Sequence, residues 1–176
     1  KFDRFVTDRI MRNIIGQSKS AFDFREVMDT KKILLVNLSK GKIGEENSNF
    51  IGLVMVPRLL AAALSRADSI GKVDFPDFYL YVDEFQNFST PDIATILSEA
   101  RKYKLCMIMA NQFVAQLSDD IKTAVFGNVG SIASFRVGVD DAEYLENQFA
   151  PVFDKTDLIN LPAGNECMRL LIGYHP

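Results

Sequence analysis

The chain has 176 residues, the size of one ordinary domain. Hydrophobic residues make up 48% and charged residues 24%, which excludes a disordered chain, a collagen-like repeat and a disulfide scaffold. Twenty Lys and Arg against 23 Asp and Glu give a net charge of -3, so the chain as a whole has no electrostatic pull toward nucleic acid, while a local basic loop stays open.

Residues 1–176 are expected to form a single domain, with residues 1–30 as a helical lead-in that includes an amphipathic helix from about Phe5 to Ile15. The run Ile33–Leu38 is the first expected strand. Ser39-Lys40-Gly41-Lys42-Ile43-Gly44-Glu45-Glu46 follows it, read either as a mobile basic loop able to touch phosphate or DNA, or as a flexible turn. Phe50–Arg66 is apolar on nearly all sides, which predicts a buried helix with a kink or break near Pro57. Pro57 and Arg58 interrupt its apolar stretch before it reaches the ~20 residues of a membrane span.

Phe78–Val82 and Leu105–Ala110 are the next expected strands, continuously apolar as in a parallel sheet covered on both faces. Between them Thr90 can cap a helix, Pro91 suits its first position and Asp92 its first turn. Ile93, Ile96, Leu97 and Ala100 then form one apolar stripe. Ser118, Asp119 and Asp120 open a shorter helix, Ile132–Val137 reads as a strand, Asp140 with Glu143 makes a box-like start for a helix through Phe149, and Cys167–Ile172 is the last strand. Strands alternating with helices predict an α/β fold with a largely parallel sheet.

Cys106 and Cys167 both lie in apolar runs without CxxC spacing and read as buried free thiols of a reducing compartment. His175 is the one histidine, which argues against a His-rich metal site and a Ser-His-Asp triad. No signal peptide opens the chain, and a start at Lys1 rather than Met suggests a piece of something longer.

In open α/β sheets ligands bind outside the carboxyl ends of the strands. Asp83 and Glu84 follow the second run, the form of a Walker B element. The first acid would bind Mg²⁺ through water, and the second would polarise the water that attacks a γ-phosphate. Two acids ending a strand and facing solvent give the same string. Asn111 and Gln112 follow the third run, where an amide can contact γ-phosphate and attacking water; a turn residue bonded to nearby backbone is the alternative. Arg101 can neutralise charge on a transferring phosphoryl group, or belong to a solvated face with Glu99, Lys102 and Lys104. A Walker A loop is missing: neither Gly16-Gln-Ser-Lys-Ser20 nor Gly41-Lys-Ile-Gly44 fits G-x-x-x-x-G-K-[ST]. A phosphate cradle is therefore expected upstream of Lys1.

Phe78-Tyr-Leu-Tyr-Val-Asp-Glu-Phe-Gln-Asn-Phe88, Ile96-Leu-Ser-Glu-Ala-Arg-Lys-Tyr-Lys-Leu105, Ala110-Asn-Gln112, Phe126-Gly-Asn-Val-Gly130 and Phe135-Arg-Val-Gly138 occur in an order and spacing that are together specific. The string resembles the C-terminal half of the motor domain of TraG/TraD-like coupling ATPases of type IV secretion and conjugation, within the HerA/FtsK group of ring-shaped DNA translocases. The resemblance runs from about Lys31 to the end and is densest from Phe78 to Gln148.

It implies a three-layer, RecA-like P-loop core lacking its Walker A half, with Asp83 as the Mg²⁺ residue. It implies that Glu84 is the catalytic carboxylate, Gln112 the γ-phosphate sensor and Arg101 the arginine finger acting on a neighbouring subunit. ATP and Mg²⁺ are the implied cofactors of the intact protein. The implied partners are a DNA or nucleoprotein substrate, five further copies in a homo-hexamer, and type IV secretion channel components. The implied place is the cytoplasm, at the inner membrane through regions outside this chain. Without a Walker A loop, this polypeptide alone is expected to bind ATP poorly and to be inactive. A secretion ATPase that moves protein or drives pilus assembly, and a non-catalytic RecA-like docking module, are the alternatives.

Overall fold

A computed structural model describes residues 7–89 and 92–173; Phe5, the Thr90 cap, Pro91 and His175 lie outside the described residues. Contacts divide the chain into two compact units, residues 1–82 with 99–108 and residues 83–98 with 109–176, taken in turn below.

The first unit is mostly helical. Helix α1 (Arg9–Ile15) begins where the Asp8 carboxylate accepts the backbone N–H groups of Ile10 and Met11, and α2 (Phe24–Asp29) begins at Asp23 in the same way. These caps satisfy donors that no preceding turn can reach. The expected basic loop is instead a one-turn helix, α3 (Lys40–Ile43), joined by Gly44 at φ 82° to the long helix α4 (Glu45–Leu64). Lys40 pairs with Glu45 at 2.7 Å, and that hydrogen bond, with the lysine charge, lowers the Glu45 pKa from its ordinary value. One of the two lysines that the basic-loop reading counted on is thus engaged by an acid of the same segment.

Helix α4 passes through Pro57 without a break, continuing as a 3₁₀ turn to Ser69. Pro57 has no N–H to offer the carbonyl four residues back, that of Leu53, a residue on the exposed side of the helix. The break expected at Pro57 is therefore corrected. Glu45–Ser69 is, by length and composition, apolar enough to cross a membrane. Within this unit it buries one face, through Ser48, Gly52, Val56, Leu59, Leu60 and Ala63, while Leu53 and Val54 on the other side are exposed, so the expected burial is met on one face only.

Strand β1 (Phe78–Val82) pairs with β2 (Leu105–Met109). The N–H of Phe78 donates to the carbonyl of Lys104 at 2.8 Å, so both strands start side by side and run parallel. The expectation of cover on both faces fails for β1: Tyr79 and Tyr81 are 56% and 73% exposed. Ile33–Leu38 also departs from expectation. It is not a strand, with Ile33 88% and Leu35 89% exposed. Its apolar side chains suit a covered sheet position, but among the described residues no strand lies alongside to complete a ladder. The hydroxyl of buried Ser48 donates to the Leu38 carbonyl at 2.6 Å and fixes the end of this segment.

Arg66 is the main polar feature of this unit's interior. It is fully buried, with its guanidinium 2.8 Å from Asp29, donating to the carbonyl of Tyr103 at 2.7 Å, and 4.9 Å from the Phe75 ring centre. Arg25 holds the same aspartate. Cys106, expected to be buried, is only partly so; burial first, then Asp77, raises its pKa above the ordinary thiol value.

The second unit packs α7 (Val139–Phe149) against α8 (Lys155–Asn160). Helix α5 (Asp92–Glu99) precedes β2, and α6 (Asp119–Asn128) follows it; Ile93 and Ile96 of α5 are buried as the stripe predicts. Strands β3 (Ile132–Ser134) and β4 (Cys167–Arg169) form an antiparallel pair, Ile132 opposite Arg169 and Ser134 opposite Cys167. Both are shorter than the apolar runs they come from.

Ala142, Leu145 and Phe149 recur on one face of α7 and meet Val114, Leu158 and Cys167 in the core. Cys167 is free and buried, and that burial raises its pKa. A capping box starts α8: Asp154 accepts the N–H groups of Thr156 and Asp157, and Asp157 accepts that of Asp154. No such box starts α7. Its cap position is Gly138, without a side-chain bond, so the pairing read from Asp140 and Glu143 is corrected. A Cβ on Gly130 would come within 2.6 Å of the Leu171 Cδ2, so a larger residue there requires that side chain to shift.

Candidate functional site

Asp83 and Glu84 follow β1, where the chain turns into a 3₁₀ turn, Phe85–Phe88. The turn is tight enough to force Glu84 into the left-handed region, at φ 51° and ψ 46°. For a residue with a Cβ this costs roughly 1–2 kcal/mol, and such strain persists only where neighbouring contacts hold it. Lys31 and Lys104 also have positive φ, so strain alone does not single out Glu84.

The contacts do single it out. Phe85 is buried and its N–H donates to the Ala110 carbonyl at 2.9 Å, tying the acidic turn to the segment that carries Gln112. The Gln112 side-chain amide donates to Glu84 Oε1 at 2.5 Å, and the Gln86 amide donates to Glu84 Oε2 at 2.5 Å. Both carboxylate oxygens are therefore held by amide donors, one from 28 residues away in sequence. Asp83 is exposed, and its Oδ1 accepts the Glu84 N–H at 3.0 Å. That bond fixes the aspartate's rotamer and leaves Oδ2 without a hydrogen bond among the described residues.

The second unit thus brings Asp83, Glu84 and Gln112 into one place. Arg101 is in the first unit, exposed on a 3₁₀ turn (Ala100–Tyr103) that follows α5. Two participants escape a reading of the sequence. Gln86 is one; its position two residues beyond the acidic pair was the available signal. Asp141 is the other. It is 5% exposed and accepts the N–H groups of Val114 and Ala115 at 3.1 and 3.0 Å. Its neighbour Asp140 drew attention as a helix-start residue, and nothing in the local pattern separates the two.

A carboxylate held by two neutral amides remains a proton acceptor, and fixed orientation is what water activation requires. Among the described residues no group of three or more His, Cys, Asp or Glu could hold a metal ion. Mg²⁺ beside phosphates asks less, since it keeps several waters and takes one or two carboxylates. Asp83, exposed and with one oxygen open, fits that requirement.

Residues 77–147 match a family model described as the TraM recognition site of TraD and TraG. Over these residues the chain is similar to the C-terminal region of TraG and TraD. No curated protein matches the chain. Asp83, Glu84, Gln86, Arg101, Gln112 and Asp141 all fall within the matched residues.

Proposed function

We propose that this chain is the part of a conjugation or type IV secretion coupling protein that carries the water-activating side of an ATPase site. The observation that carries the reading is the bond from Gln112 to Glu84, which joins the residues after two adjacent parallel strands. In this reading the fold is one side of a RecA-like, three-layer P-loop core. The exposed Ile33, Leu35, Tyr79 and Tyr81 support it, because they are apolar positions that a larger sheet would cover.

Asp83 would hold Mg²⁺ through water. Mg²⁺ and ATP, when bound, supply the electrophilic phosphorus and the neutralising charge. Glu84 orients and deprotonates the attacking water. Gln112 has its amide on Glu84 and is placed to exchange that contact for one with the terminal phosphate. Arg101 acts on the nucleotide of the adjacent subunit in a homo-hexamer. The phosphate cradle comes from sequence outside residues 1–176. The cargo is DNA or nucleoprotein, the family description points to a TraM-type relaxosome partner, and secretion channel components receive the cargo. Such a protein works at the cytoplasmic face of the inner membrane.

The full-length protein is expected to hydrolyse ATP with Mg²⁺, faster in the presence of DNA, and Asp83→Ala is expected to lower turnover by roughly 10²-fold. Stimulation by a protein cargo but not by DNA would favour a protein-moving secretion ATPase. Full turnover in Asp83→Ala removes the aspartate's role, and failure of the full-length protein to bind nucleotide favours a docking module.

A further inference from the structure

Asp141 is the acid that this ATPase reading leaves without a task. It lies in the first turn of α7, and its oxygens are used separately: Oδ2 accepts the N–H of Val114 and Oδ1 that of Ala115. These amides open the 3₁₀ turn Val114–Gln116, whose first donors have no carbonyl partner within the turn. A carboxylate this buried is costly to desolvate unless bonded, so acid and amides fix one another. Val114, two residues beyond Gln112, is itself buried in the core with Ala142 and Leu145.

From this geometry we infer that Asp141 is a positioning residue for the sensor glutamine. It clamps residues 114–115 to the start of α7, which sets where the Gln112 amide points and so how Glu84 is held. The inference rests on the ATPase reading above. It adds a specific claim: Asp141 acts through Gln112 and not by supporting the fold alone.

Two measurements test it. In Asp141→Asn an amide donor replaces one of the two acceptor oxygens. Hydrogen exchange on the 176-residue chain should show the Val114 and Ala115 amides opening about ten-fold faster or more, the size of a lost bond to a charged group. The amides of Ala142–Phe149 should be unchanged. In the full-length protein, Asp141→Asn should lower kcat about ten-fold with KM for ATP unchanged. The double variant Gln112→Ala with Asp141→Asn should be no slower than Gln112→Ala alone.

Losses that multiply in the double variant overturn the inference, as does unchanged exchange at Val114 and Ala115. Should Asp141→Asn fail to fold, Asp141→Ser, which keeps one acceptor, carries the same comparison. A slow Gln112→Ala with a normal Asp141→Asn sinks this inference alone. Full turnover in Gln112→Ala and Glu84→Gln together sinks the ATPase reading beneath it.

Discussion

Glu84→Gln in the full-length protein is expected to reduce ATP turnover by roughly 10²–10⁴-fold while nucleotide binding persists, read as kcat against binding affinity. The variant keeps size and shape but replaces one acceptor oxygen by an NH₂ group. Gln86 and Gln112 each present an amide donor to a Glu84 oxygen at 2.5 Å, so one of them would face another donor. The variant therefore loses the proposed proton acceptor and half of its restraint at once. Glu84→Gly separates catalysis from stability. It relieves about 1 kcal/mol of left-handed strain, which offsets the lost side-chain bonds, so stability should change little while turnover is abolished. Turnover retained in both variants would show that the proton acceptor lies elsewhere.

Arg66→Ala is expected to cost the first unit about 3 kcal/mol, measured by urea unfolding of the 176-residue chain. Arg66 is fully buried, and its removal takes one of the two arginines from Asp29 and the guanidinium donor from the Tyr103 carbonyl. Asp29 stays 28% accessible and keeps Arg25, which places the effect at the lower end of the range for broken buried pairs. Arg66→Lys should recover part of the loss, since a point charge can still reach Asp29 but cannot serve Asp29 and Tyr103 together as the fork does. A loss below about 1 kcal/mol for Arg66→Ala would put the contact among ordinary surface pairs.

How much of this was legible in the sequence follows from which interactions are local. Phe78–Val82 forms its strand as read, because a continuous β-prone apolar run bounded by charge has few other uses. Helix α7 ends at Phe149 as expected, since its apolar positions keep the 3.6-residue period, yet its start depends on Gly138 and not on the acids. Ile33–Leu38 carries the same apolar signal as β1 without being a strand, because pairing needs a neighbour that periodicity cannot supply. The α4 helix continues through Pro57 with Gly52, Val56, Leu59 and Leu60 buried on either side of it, a tertiary packing that local propensity does not report.

The site divides in the same way. Asp83, Glu84 and Gln112 stood out by position after apolar runs, and the family match over residues 77–147 covers nearly the stretch where the resemblance was densest. Gln86, Asp141 and the left-handed turn at Glu84 were not visible, since each depends on a tertiary contact. The pairing of buried Arg66 with Asp29 and the Tyr103 carbonyl is likewise a tertiary contact that the sequence does not show.

The most direct measurement is a crystal structure of the full-length protein with Mg²⁺ and a non-hydrolysable ATP analogue. The account predicts the terminal phosphate at the ends of β1 and β2, with Asp83 on the waters of Mg²⁺, Glu84 bonded to the water in line with the γ-phosphate, and Gln112 within hydrogen-bond reach of both. A nucleotide bound away from these residues, with Gln112 and Glu84 bonded to each other and solvent alone, would contradict it.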